Sequence, residues 1–339
     1  MRFSAGIPTC KEGLNFPAPF ASPEDVITII QKAEELGFHS VWGNDHITAP
    51  KYVRELFEAA PNFYEPLITL SYAAAKTTRI KLAPSVIVLP MREPVYLAKQ
   101  VATLDVFSNG RFILGVGVGA YREEFERINP RLAKSANRGA MVDESIEALV
   151  KLLTEPVASY AGKYYQFDGI ALSPKPLQDP FPIYVGGNSN SAARRAGTHG
   201  MGWLPAALST EDIRRGLDVM QQAADDAGRN AEEIDVAPQL LVTMGRKYEE
   251  AIDRFKNSQM YHHLISLQRS TLRGQDLSRI EENNLIGTPE QILQKIGTLE
   301  EAGVTHCAAL NFISNTPSEM MEQMAFFKEA VMDVYGATQ

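Results

Sequence analysis

Residues able to do chemistry cluster at three points in this chain. In VWGNDHITAP (41–50), Asp45 and His46 stand side by side directly after a short apolar run. A carboxylate next to an imidazole suits proton transfer or the orientation of a ligand, with a purely structural histidine as the alternative. In FILGVGVGAYREEFE (112–126), Gly115, Gly117 and Gly119 follow a second apolar run. A dinucleotide fingerprint needs G-x-G-x-x-G and an acidic residue about 20 positions later, at the end of the next strand. The spacing here is G-x-G-x-G and no such strand follows. These glycines therefore either clear side chains so that a flat ligand approaches the backbone, or form a tight turn with no ligand. In IYVGGNSNSAARRAG (183–197), Gly186, Gly187, Asn188 and Ser189 lead into a helix. Backbone N–H groups at that helix start form an anion nest suited to phosphate, and a plain Gly-Gly turn capped by Ser189 is the competing reading. Arg194 and Arg195 stand where they could reinforce an anion site.

Other chemistries lack their signatures. His262 and His263 are adjacent on an expected helix and point about 100° apart, which makes them poor joint metal ligands. No His-x-His, His-Glu-x-x-His or Gly-x-Ser-x-Gly sequence occurs, so the expectation is a reaction without a metal, carried by a cofactor. The formal net charge of −8 argues against general nucleic-acid binding, which requires a basic surface. No window approaches the roughly 18 continuous apolar residues of a membrane span. The first residues lack the zones of a signal peptide, which makes the cytoplasm the expected location. Cys10 and Cys307, the two cysteines, are far apart in sequence and expected to be free thiols.

These groups must be held by an alternation of strands and helices. Strands are expected at Arg2–Ile7, Ser40–Trp42, Ile80–Leu89, Arg111–Gly117, Pro182–Val185, Gly202–Leu204, Val236–Met244 and His306–Phe312. Ile80–Leu89 and Phe112–Val116 are continuous apolar runs, as in parallel strands covered on both faces. Between them, Ser22-Pro23-Glu24-Asp25 and Thr288-Pro289-Glu290-Gln291 are helix starts, with stops at Gly37 and Gly303. Pro94 opens another helix, and Val142, Ile146, Leu149, Val150 and Leu153 stripe a fourth. Eight helix-linked strands imply an α/β chain folded as one (β/α)8 TIM barrel over residues 1–339. Two segments fall outside the repeat. Residues 154–181 are expected as a long loop or short hairpin, and 264–287, with Arg269, Arg273 and Arg279, as an insertion able to act as a lid.

Taken together, GFHSVWGNDH (37–46), the segment from APSVIVLP to REEFE (83–126), RGAMVDESIEALVKLLTE (138–155), the segment from FDGIALSP to GMGWLP (167–205) and IGTPEQILQKIGTLEEAGV (286–304) resemble the luciferase-like monooxygenase superfamily. These are the bacterial luciferase-type (β/α)8 flavin and deazaflavin oxidoreductases. Within it, PFPIYVGGNS with AARRAG is most similar to the subgroup that uses the deazaflavin F420, with FMN as the competing cofactor. The resemblance implies a ring seated on the C-terminal barrel face, against a bulge with a non-prolyl cis peptide at Ser85-Val86. It assigns Gly186, Gly187, Asn188 and Ser189 to the phosphate loop, Gly117 and Gly119 to the neighbourhood of the ring and ribityl chain, and Asp45 and His46 to a pair near the ring. It also implies a homodimer formed through helices of the second and third units. A small organic substrate would lie among Ile7–Cys10, Tyr64, the 264–287 segment and Asn311.

The sequence departs from the F420-dependent sugar-phosphate dehydrogenases of that family. Their acidic glutamate and their tryptophan are replaced by Ala120 and Pro50. That favours a reductase or monooxygenase relying on His46, Tyr121 or Glu123 over a dehydrogenase. The alternatives are an FMN-dependent monooxygenase fed by a partner flavin reductase, and a non-catalytic flavin-binding barrel.

Overall fold

The computed structural model describes residues 1–58, 60–267 and 279–337. Its strands are β1 (Arg2–Ile7), β2 (Ser40–Gly43), β3 (Lys81–Pro84), β4 (Ile87–Val88), β5 (Leu114–Gly117), β6 (Ala158–Ala161), β7 (Gln166–Ile170), β8 (Ile183–Gly186), β9 (Gly202–Leu204), β10 (Asp235–Val236), β11 (Gln239–Met244), β12 (Leu285–Gly287) and β13 (His306–Phe312). β13, β1, β2 and β3 pair in parallel, and a bridge from Leu82 to Phe112 leads on to β5, β8, β9 and β10. β10 runs on as β11, and β11 pairs with β13. An isolated bridge from Ala206 to Gln239 links β9 to β11 on this side, and the parallel strands with their intervening helices are those of the (β/α)8 barrel.

The helices form for local reasons visible in sequence. Ser22 caps the helix Pro23–Glu35 in a capping box with Asp25, and Val26, Ile29, Ile30 and Ala33 are buried against the barrel. Thr288 and Gln291 do the same for Pro289–Glu301. Such boxes satisfy two otherwise unpaired N–H groups at the helix start. Apolar side chains from these helices and the outward strand faces form the main core, while Trp42, Ala83, Ile113, Tyr184, Leu204, Ala237, Ala308 and Ala309 fill the barrel interior.

Three expectations need correction. The run Ile80–Leu89 is not one strand. It breaks into β3 and β4 at the Ser85–Val86 bond, which is cis. Val236–Met244 is likewise split into β10 and β11 around Pro238, a residue with no N–H to donate to a ladder. β12 is a strand that pattern reading missed, because it is three residues long and lies within the expected insertion at 264–287. It pairs with the upper end of β11, at Val242–Met244. The other irregular segment does hold a short antiparallel hairpin, β6–β7. Arg269 and Arg273 lie outside the described residues, and Arg279 pairs with Glu282.

Candidate active site

The C-terminal ends of the strands converge on Val86. Asp45, in the loop after β2, is fully buried and binds the bulge beneath it. One carboxylate oxygen accepts from the Val88 N–H at 3.0 Å, and the other accepts from Arg92 at 2.6 Å. Arg92 also pairs with Glu65 at 3.2 Å. Ser85 donates its N–H to the Gly43 carbonyl at 2.6 Å. Asp45 thus fixes the geometry of the bulge, with both oxygens engaged by protein.

The glycines frame the same side chain. A Cβ at Gly117 would lie 2.7 Å from Val86 Cγ2, and one at Gly186 would lie 2.6 Å from Val86 Cγ1. Two neighbouring strands therefore lack side chains so that Val86 can stand between them. Gly119 has φ +79, a conformation few other residues adopt, and sits against Val88. Arg138, missed in sequence, donates to the Val118 and Gly119 carbonyls at 3.1 Å and pins this turn from the side.

His46 stands beside this shelf. Its Nδ1 lies 3.1 Å from Glu124 Oε2, and its ring packs against Phe63 and Tyr121 at centroid distances of 5.8 and 5.5 Å. The other oxygen of Glu124 accepts from the N–H groups of Ile47 and Thr48. Burial raises the affinity of Glu124 for a proton, but the His46 contact and these N–H donors outweigh it and hold the carboxyl below its ordinary range. An ionised Glu124 accepts Nδ1–H and leaves Nε2 as the atom of His46 able to exchange a proton with a ligand. Sequence reading singled out Glu123 and passed over Glu124. Glu123 faces solvent and pairs with Arg127 at 2.9 Å. The signal was the helix phase: in Arg122–Ile128 the buried positions are Glu124 and Phe125, and an acid on a buried helix face needs a partner. Tyr121 meets Tyr52 hydroxyl to hydroxyl at 3.5 Å, and Tyr52 binds His263 Nδ1 at 2.6 Å. His262 turns instead to the Ser258 carbonyl, so the two histidines share no ligand.

The loop 186–189 is built as a rigid mount. Asn188 exchanges two hydrogen bonds with Ala206, at 2.9 and 2.8 Å, and Gly187 accepts from the Trp203 indole at 2.9 Å. Ser189 caps the helix Asn190–His199, whose first-turn N–H groups have no partner within the helix. Arg195 is turned to Asp143, and Arg194 lines an outer groove with Asp218 and Gln222, so neither arginine stands over the loop.

These features fit a flat ring with a phosphate-bearing tail. Val86 supplies an apolar shelf, Ser85 Oγ is buried without a hydrogen-bond partner among the described residues, and the 186–189 turn leads into the N-terminus of the helix Asn190–His199. Known proteins agree in kind. The sequence pattern of the luciferase-like monooxygenase family matches residues 1–306. The chain belongs to this family. Among luciferase-like relatives, the F420-dependent glucose-6-phosphate dehydrogenase of Segniliparus rotundus is 26% identical over 325 residues, covering 94% of this chain and 89% of that one. The oxygenase component of the flavin-dependent trigonelline monooxygenase of Acinetobacter baylyi is 32% identical over 177 residues, covering 52% and 44% of the two chains. The crystal structure of monooxygenase RslO1 from Streptomyces bottropensis shares the fold, with a TM-score of 0.81 at 23% identity over 99% of this chain and 100% of that one. This chain is accordingly a luciferase-like oxidoreductase.

Proposed function

We propose that this luciferase-like chain is an F420-dependent oxidoreductase that reduces a small organic acceptor at the mouth of its barrel. The observation that carries the reading is the His46–Glu124 pair beside the Val86 shelf. It sets a proton-exchanging nitrogen next to the surface on which the ring would lie. When bound, the deazaflavin supplies a hydride from its C5. The protein's share is orientation and the proton. Val86, Gly117, Gly119 and Gly186 shape the shelf, Ser85 offers a hydroxyl to the ring, and Gly187, Asn188 and Ser189 take the phosphate. Asp45 keeps the bulge in place through Val88 and Arg92. His46, oriented by Glu124, is the group that exchanges the proton accompanying the hydride. Ala120 removes the acid of the sugar-phosphate dehydrogenases, and Glu124 supplies a carboxylate from the next helix turn instead.

A second reading is an FMN-dependent monooxygenase fed by a partner reductase, favoured by the 32% identity to the trigonelline oxygenase component. Titration of the purified apo-protein with F420 and with FMN, read by fluorescence quenching at fixed ionic strength, separates the two. Micromolar F420 binding with FMN at least tenfold weaker supports hydride transfer. The reverse order replaces it with oxygen chemistry, and failure of both overturns the reading.

The proposal includes a homodimer in the cytoplasm. On the helices Pro66–Lys76 and Pro94–Phe107, Ile68, Tyr72, Tyr96 and Phe107 are each more than half exposed, an apolar face suited to a second copy. Light scattering after gel filtration checks it.

A further inference from the structure

A buried amine lies at the C-terminal ends of β1 and β13, and the chemistry above leaves it unused. Lys11, in the loop after β1, is 1% exposed. Its Nζ donates to Asn311 Oδ1 at 2.6 Å, and the Asn311 amide donates in turn to the Ala309 carbonyl at 2.8 Å. The two groups sit over Gly6, where a Cβ would come within 2.7 Å of Asn311 Oδ1 and 3.0 Å of Lys11 Nζ. The same loop is tied to the other side of the mouth, since Cys10 Sγ donates to the Tyr64 and His46 carbonyls.

An ammonium has three N–H groups, and Lys11 spends one on a neutral amide. Among the described residues no carboxylate forms an ion pair with it. The adjacent Glu12 is turned away and saturated by the N–H groups of Phe20, Ala21 and Asn62. A buried charge without a counter-charge is costly, and burial accordingly pulls the Lys11 amine down to about 7, with Cys10 opposing slightly. A ligand carrying its own negative oxygen would restore the missing counter-charge and accept the spare N–H groups.

We propose that Lys11, oriented by Asn311, recognises a carboxylate on the substrate, so that the acceptor taken at this site is an organic acid. This rests on reading the barrel mouth as the substrate pocket. Burial of the amine makes the selection sharp, because a neutral analogue leaves the charge unpaired.

The test uses apo-protein with 13Cε,15Nζ-labelled lysine, followed by NMR, with acetate and benzoate as probes and benzamide as the neutral control. The expected result is a Lys11 signal that moves on adding either carboxylate, with a titration midpoint raised by about one pH unit or more at saturation. Benzoate affinity should fall at least tenfold in Lys11→Met, with benzamide affinity unchanged. The wild-type spectra need no variant, so a poorly folding Lys11→Met does not obscure the outcome. A Lys11 signal indifferent to both carboxylates, or equal benzoate binding by Lys11→Met, overturns the proposal. So does loss of F420 and FMN binding in Lys11→Met, which would assign the amine to the cofactor. Failure of wild-type protein to bind either cofactor would sink the proposed function while leaving carboxylate binding to be read on its own.

Discussion

His46 Nδ1 and Glu124 Oε2 lie 3.1 Å apart although 78 positions separate them in sequence. The contact joins the loop after β2 to the helix after β5, and the backbone N–H groups of Ile47 and Thr48 close it from below. Glu124 thereby selects which imidazole nitrogen faces the mouth.

Replacing His46 by alanine should lower turnover by about 10²–10⁴-fold, with F420 or FMN affinity changed by less than threefold. Glu124→Gln should lower kcat by about tenfold or more with little effect on KM, because it disturbs the tautomer and not the pocket. Side-chain 15N spectra of His46 check this directly. One defined tautomer in the wild type should become a mixture in Glu124→Gln, and an unchanged spectrum would contradict the assigned role.

Asp45 should behave differently from its neighbour. Asp45→Ala leaves Arg92 and the Val88 N–H without their buried partner, and should destabilise the fold by about 3 kcal/mol. His46→Ala leaves Glu124 its Ile47 and Thr48 N–H donors and should cost less, about 1–2 kcal/mol. Chemical denaturation of the two variants makes the comparison. Equal midpoints would mean that the Asp45–Arg92 pair does not hold the bulge.

The shelf predicts a non-additive pair. Gly117→Ala drives a methyl into Val86 and should cost about 1–3 kcal/mol, together with most of the cofactor affinity. Adding Val86→Ala removes the atom that is struck. The double variant should therefore recover stability relative to Gly117→Ala alone, a coupling read from a double-mutant cycle. Strictly additive losses would mean that the glycine serves some purpose other than room for Val86.

Stability should fall on mild acidification. Burial lowers His263 to about 3 and His306 well below its ordinary value, while the unfolded chain takes up these protons near pH 6.5. Unfolding then binds protons, so stability is complete above that pH and is lost below it. The two rings together should cost roughly 2 kcal/mol between pH 6.5 and 5.5. Glu124 acts at lower pH: its contribution is present above its unfolded value near 4.3 and disappears as pH drops through its lower folded value. Thermal midpoints from pH 7.5 to 4 test both. A flat profile down to pH 5 would mean that the two rings are not held neutral.

Local signals were legible in the chain. Caps and stops at Ser22, Gly37, Thr288 and Gly303 marked helices that the structure contains, because capping depends on neighbours within three or four residues. β1, β9 and β13 lie at the residues expected, since short largely apolar segments between turn signals are marked by neighbours close in sequence. The sequence by itself determined the barrel class and two of the loops at its mouth: Asp45-His46 and 186–189 follow expected strand ends, whereas Ser85-Val86 was marked only by the family resemblance.

Only the tertiary structure decided what those residues touch. The break at Ser85–Val86 lies inside an apolar run, whose periodicity carries no mark of it. The glycines at 117 and 186 belong to different strands and acquire a common purpose only when Val86, in the bulge between β3 and β4, stands between them. Glu124 rather than Glu123 reaches His46 because helix phase and the approach of the loop after β2 choose between adjacent acids. Lys11 meets Asn311 from the far end of the chain. Capping and burial patterns are written in short windows of sequence, whereas proton partners and buried charges are fixed by which strand ends the barrel brings together.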